Sequence, residues 1–266
     1  MLLRPAYLLF STTFLLQCVA DLRARLRERG SELLVRVGPP ERVLRQLCER
    51  VGAACVYAHA GCTSEELATA RRVRGALDGC GTAFRSVWGG TLHALEDLPL
   101  SSMPSNYGSF RARLAAIAPR AALPAPAQLR RTPLGCPEAG ELPTASELGV
   151  AEPETPAAPM GGDEGDGACR GEQRARSPHA PPPMCGGESE ALRRLAAFAA
   201  AERGQGGGAC NGGLYGANFS VQASPWLALG CLSPRRLYQE MRDSHAHAPK
   251  DQAATHVNWL AFEVRL

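Results

Sequence analysis

Neither G-x-G-x-x-G nor G-x-x-x-x-G-K-[ST] occurs anywhere in the 266 residues. An ordinary dinucleotide fingerprint or P-loop is thereby excluded, since both need glycines that let backbone N–H groups approach a phosphate. Gly38-Pro39-Pro40 makes no such loop. Lysine is nearly absent, Lys250 being the one basic residue that is not arginine. No run of five basic residues occurs and the net charge is only +3, so a strong nucleic-acid footprint is missing. No segment is apolar for long enough to be a convincing membrane span. Ten cysteines are present, but none forms a C-x-x-C pair and their spacings fit no zinc signature. No metal site is expected, and a reducing compartment is the simpler reading. Cys18, Cys48, Cys55 and Cys231 fall in apolar patterns and read as buried free thiols. His59, His93, His245, His247 and His256 lack a partner pattern and read as surface or core residues.

Alternating helical and extended patterns fill residues 11 to about 98. A helix is predicted from Thr12 to Arg29, with Leu15, Cys18, Val19, Leu22 and Leu26 on one stripe and Gly30 as its stop. The first 20 residues also have the composition of a signal peptide, but the stripe runs on past the supposed cleavage point and favours a helix of the fold. Glu32–Val37 is β-branched and bounded by Gly-Pro-Pro, and reads as a strand. "ERVLRQLCERVG" returns to helical spacing. Ala54–His59 is a second strand. "TSEELATARRVRGALDG" opens on a capping box, Thr63 to Glu66, and ends in Gly79. Thr82–Trp88 is a third strand. Helices between short apolar strands imply an α/β fold with a parallel sheet.

From Pro119 to Gly187 the composition shifts, and 13 of the 21 prolines fall there. Such a run buries too little apolar surface to offset its ordering entropy, so a long disordered linker is expected. Helical spacing returns in "GESEALRRLAAFAAAERG". Then "NFSVQASPWLALGCLSPRRLY" carries two Ser-Pro pairs, Ser224-Pro225 and Ser233-Pro234. Each reads as a helix start, with Ser as cap and Pro at the first helical position. Trp226, Leu227 and Leu229 read as core.

The stretches "TTFLLQCVADLRARLRERGSELLVRVGPPE", "AACVYAHAGCTSEELATARRV", "VWGGTLHALEDLPL", "GGESEALRRLAAFAA", "YGANFSVQASPWLALGCLSPRRLY" and "NWLAFE" occur in this order. Together they resemble the photolyase/cryptochrome family, and within it the plant and algal blue-light photoreceptors related to DASH cryptochromes. The resemblance implies a Rossmann-like α/β domain over 1–118, lacking its first strand unless "AYLLF" substitutes for it. The linker would cover 119–187. A partial all-helical FAD-binding domain would cover 188–266, and the chain is expected to be short of the family pattern at both ends.

The same resemblance implies an FAD chromophore. Its phosphate motif maps onto Ser220, Val221, Gln222, Ala223 and Ser224, with both serines matching. Val221 lacks the family's hydroxyl, and Gln222 lacks its positive charge. Trp259 and Glu263 match the helix beside the flavin and lesion pocket. Ser105, Asn106 and Tyr107 fall where relatives contact an antenna pterin (methenyltetrahydrofolate). A blue-light photoreceptor with a signalling protein partner is the reading adopted. The alternatives are a light-driven DNA photolyase that repairs pyrimidine dimers, with DNA as partner, and a chromophore-free α/β interaction domain. A plain nucleotide-binding α/β domain is disfavoured, for want of a glycine fingerprint. By resemblance the location is the plastid, although no transit peptide is visible; otherwise it is cytoplasmic or nuclear.

Overall fold

The computed structural model describes residues 5–133, 135–150, 184–202 and 223–247. Helix α1 (Pro5–Glu28) begins seven residues before the expected start. "AYLLF" is therefore helical and supplies no strand. Gly30 ends the helix at φ 85°, a conformation that a Cβ would disfavour. Its N–H bonds Arg27 O at 3.0 Å, and Ser31 N–H reaches back to Leu26 O at 2.9 Å. The expected stripe holds at Cys18 but fails at Leu15 and Leu22. Phe14 and Cys18 are buried, whereas Leu15 and Leu22 are 42% and 46% exposed. The neighbours choose the face: the 184–189 segment and α5 (Glu188–Glu202) lie against Phe14, Gln17, Cys18 and Asp21.

The α/β unit follows. Helix α2 (Pro40–Val51) starts with Pro40 in its first turn and closes on Gly52 at φ 63°. Strand β1 (Cys55–His59), helix α3 (Ser64–Asp78) and strand β2 (Ala83–Val87) complete a β–α–β unit. The strands pair in parallel, from Cys55 opposite Ala83 to His59 opposite Val87. The capping box of α3 is present: Thr63 Oγ1 accepts from Glu66 N at 3.2 Å, and Glu66 Oε2 accepts from Thr63 N at 3.0 Å. Cys48, Val73 and Leu77 form the small core beneath the sheet.

The first expected strand is a correction. Residues 32–37 carry no strand, and the sheet has two strands only among the described residues. A strand is defined by its ladder, and this segment finds none. Val35 N–H bonds Ala139 O at 2.8 Å instead. Around that bond, buried Arg23 reaches three carbonyl oxygens with one nitrogen: Leu33 at 3.3 Å, Ala139 at 3.2 Å and Gly140 at 2.7 Å. Residues 119–133 and 135–150 contain neither helix nor strand. They are nonetheless pinned, with Leu129 N–H on Arg29 O at 2.9 Å and Arg36 on Glu138 O at 2.6 Å.

Two short 3-10 turns, Leu95–Asp97 and Leu100–Ser102, lead to α4 (Tyr107–Ala115). The C-terminal described part adds a helical segment at 223–228 (α6) and α7 (Pro234–His247). The main core joins Phe14 and Cys18 to Ala191, Leu195, Ala223, Trp226, Leu232, Leu237 and Met241. The first helix thus falls inside the expected α/β domain by sequence, but packs with α5–α7. No helix among the described residues is long and apolar enough to cross a membrane.

Candidate functional site

The Ser-Pro-Trp step lies at the centre of the larger core. Trp226 is 1% exposed, and a buried indole needs an acceptor for its one N–H. Nε1 finds it in Cys185 O at 3.1 Å. Phe14 meets the ring edge-on, with centroids 5.3 Å apart and planes at 71°. The Arg194 guanidinium lies over the indole at 4.7 Å from its centroid. Glu190 holds that arginine by Nε at 2.7 Å and also accepts from Arg193 at 2.7 and 2.8 Å. Burial pushes the Glu190 carboxyl upward, but the hydrogen bonds from Arg193 and Arg194 outweigh it and hold the group below its ordinary range. Trp226 is therefore an anchor fixed on several sides.

What the anchor positions is the first described turn of α6. Ala223 is buried and Ser224 exposed. Beyond the helix, Gly230 turns the chain at φ 71°, and Leu232 N–H returns to Trp226 O at 3.2 Å. Pro234 opens α7 one residue after Ser233, whose carbonyl accepts from Leu237 N at 3.0 Å. Ser233-Pro234 thus opens a helix as expected, whereas Ala223 and Ser224 are already helical ahead of Pro225, so Ser224 is not the cap. Leu229, expected in the core, is 46% exposed because it lies on the outer side of this turn.

Of the seven expected site residues, the structure brings Ala223 and Ser224 together. Ser220, Val221, Gln222, Trp259 and Glu263 lie outside the described residues. In the described part of the motif Ser224 is exposed and Trp226, two positions on, is buried. At the expected antenna position Asn106 caps α4, its Oδ1 accepting from Ser109 N at 2.8 Å. Tyr107 is 53% exposed. No group of three or more His, Cys, Asp or Glu is placed to hold a metal among the described residues.

Sequence reasoning missed the brace around Trp226. The Glu190–Arg193–Arg194 spacing of three and four residues does signal an ion pair on one helix face. Nothing local signals the Trp226–Cys185 bond, which spans 41 positions. Also missed was buried Leu92-His93-Ala94, tied to α7 by Arg235 Nε on Leu92 O at 3.1 Å.

A β–α–β unit and a helical layer, joined through one long first helix, define a two-part α/β-plus-helical protein. The family described as DNA photolyase matches residues 7–129. The blue-light photoreceptor PHR2 of Arabidopsis thaliana is 35% identical over 270 residues, covering 96% of this chain and 56% of that protein. A cryptochrome DASH of Gloeobacter violaceus is 36% identical over 261 residues, covering 96% of this chain and 47% of its own length. Another from Arabidopsis thaliana, described as chloroplastic/mitochondrial, is 31% identical and covers 94% of this chain and 40% of itself.

Among solved structures, the Synechocystis cryptochrome aligns with a TM-score of 0.70 at 28% identity, over 97% of this chain and 49% of that one. An archaeal photolyase from Sulfolobus tokodaii, solved with two FAD molecules, shares the fold at a TM-score of 0.52 and 17% identity, over 90% of this chain and 48% of that one. The chain belongs to the photolyase/cryptochrome family. It spans about half the length of the curated relatives it matches.

Proposed function

We propose that the chain is a flavin-dependent blue-light photoreceptor of this family, with FAD held at its phosphate end by the 220–224 motif. The observation that carries the reading is the exposed Ser224 in the first described turn of α6, beside the buried Trp226 anchor. Ser220 and Ser224 would hold phosphate oxygens, and Val221, Gln222 and Ala223 would offer backbone. Trp259 and Glu263 would lie beside the ring. FAD, when bound, supplies the blue-light absorption and the electron chemistry.

Light-driven repair of DNA is the second reading, supported by the family description of the 7–129 match. DNA is its partner, whereas the photoreceptor reading calls for a signalling protein. A methenyltetrahydrofolate antenna near Ser105–Tyr107 belongs to either reading. A plastid location is proposed from the plant relative described as chloroplastic/mitochondrial.

The test is an absorption spectrum of the purified chain after incubation with FAD and removal of free flavin. Protein-bound bands near roughly 370 and 450 nm are expected. A colourless protein that is folded by circular dichroism overturns both light-driven readings for this chain. A Ser224→Ala variant with unchanged retention of flavin removes Ser224 from the site. Repair of a dimer-containing oligonucleotide under blue light separates the two readings.

A further inference from the structure

Between Asp97 and Glu138 lie 40 residues with five arginines and no acidic side chain. Thr132 stands near the end of this basic run, in Leu129-Arg130-Arg131-Thr132-Pro133. These residues belong to neither helix nor strand, and Arg130 through Pro133 are exposed. Pro133 disfavours the α region for the residue before it, and so favours an extended Thr132. Two fixed points present the segment. Upstream, Leu129 N–H bonds Arg29 O at 2.9 Å, and Arg29 Nη1 bonds Pro126 O at 3.3 Å. Downstream, Cys136 N–H closes a turn on Pro133 O at 3.2 Å, with Gly135 at φ 84°. Arg50, in the last turn of α2, reaches Gly135 O with Nε at 3.3 Å. The Arg130 and Arg131 guanidinium groups make no hydrogen bond or ion pair among the described residues. Thr132 is an accessible hydroxyl beside cations that lack an anion.

We propose that Thr132 is a phosphorylation site for a proline-directed Ser/Thr kinase, and that Arg50, Arg130 and Arg131 receive the phosphate. Thr132 Oγ1 attacks the γ-phosphorus of ATP and its proton passes to the kinase's general base. The bond from the γ-phosphorus to the β–γ bridging oxygen breaks, and ADP leaves. The product carries roughly −1.5 to −2 charges and three acceptor oxygens. Charge-assisted bonds from guanidinium groups are the strong class, so the modified turn fastens to the end of α2. Ser224-Pro225 and Ser233-Pro234 are the other such pairs among the described residues. The first is helical and the second abuts α7, so neither offers the extended backbone on both sides that Thr132 has. The modification needs no flavin and stands independently of the proposed chromophore.

The experiment treats the full chain with ATP and an active mitogen-activated protein kinase, and maps phosphate by tandem mass spectrometry. Thr132 is expected to carry it. Pro133→Ala should slow incorporation there by about tenfold, the scale of one lost specificity contact. Phosphorylation should also slow hydrogen exchange at the Cys136 amide by about fivefold, as new charge-assisted bonds order the turn. Arg50→Ala should remove most of that slowing and leave phosphorylation itself intact. A folded chain with Thr132 unmodified, by a kinase active on a reference substrate, overturns the proposal wherever else phosphate is found. Unchanged or faster exchange at Cys136 after phosphorylation overturns the role given to Arg50.

Discussion

Among the described residues, the core around Trp226 gathers nine buried residues from α1, α5, α6 with its following turn, and α7, whereas the core between α2 and α3 holds three. The difference follows from what each can draw on. The larger core closes contacts between segments up to 227 positions apart, from Phe14 to Met241. The smaller is assembled from residues 48 to 77 and is bounded by a two-stranded sheet, with Tyr57 and Val87 67% and 57% exposed. Long-range assembly makes the first core deep and dependent on every segment, while short-range assembly makes the second shallow and self-contained.

The most damaging way to break the comparison is to truncate one anchor in each core. Trp226→Ala removes the largest fully buried side chain and should cost about 4 kcal/mol, and Leu77→Ala about 3 kcal/mol. Hydrogen exchange distinguishes them. Trp226→Ala should loosen α1, α5 and α7 together, while Leu77→Ala should loosen α2 and α3 and leave α1 protected. Equal loosening of every helix by both variants would mean that the two cores unfold as one.

A pH test probes the larger core alone. The Cys18 thiol is raised from 9.0 to about 12, because burial and Cys231 both disfavour the thiolate. Between those values the unfolded chain has lost this proton and the folded chain retains it. Its contribution is therefore complete below pH 9 and declines as pH rises toward 12. Denaturant midpoints from pH 8 to 11 should fall more steeply for the wild type than for Cys18→Ser; identical slopes would discard the effect.

The smallest expected effect lies in the smaller unit. Thr63→Ala removes the side-chain half of the α3 capping box and should cost about 1 kcal/mol, read from urea midpoints. Thr63→Ser should restore most of it, since the hydroxyl is the working group.

How much the sequence made legible follows the same division. The elements α2, β1, α3 and β2 were readable because periodicity, glycine stops and the capping box are all local. Residues 32–37 have strand composition, but composition does not provide a partner, and the partner found is the carbonyl of Ala139. The buried face of α1 was misread for the same reason. Cys18 is buried as expected, but Leu15 and Leu22 are as apolar as Phe14, and only the distant α5 segment decides between them. At the candidate site the motif pointed to Ser224 and Trp226, while the Arg194 and Cys185 contacts were invisible at that range. Gly186 and Gly187 were placed in the linker, yet Gly186 N–H bonds Gln17 Oε1 at 2.7 Å.

The Arg23 contacts have a topological consequence. One guanidinium, together with the Leu129–Arg29 bond, ties the return of the chain to α1 near the point where it departs. Residues 30 to 139, the β–α–β unit included, form a loop closed at this stem and held a second time where Arg235 of α7 bonds Leu92 O. Opening that loop at an exposed turn would leave both halves tethered to the same helix. New termini placed near Gly61 or Gly90, with the present ones left alone, should therefore separate covalent order from spatial order without dismantling the body that the stem belongs to.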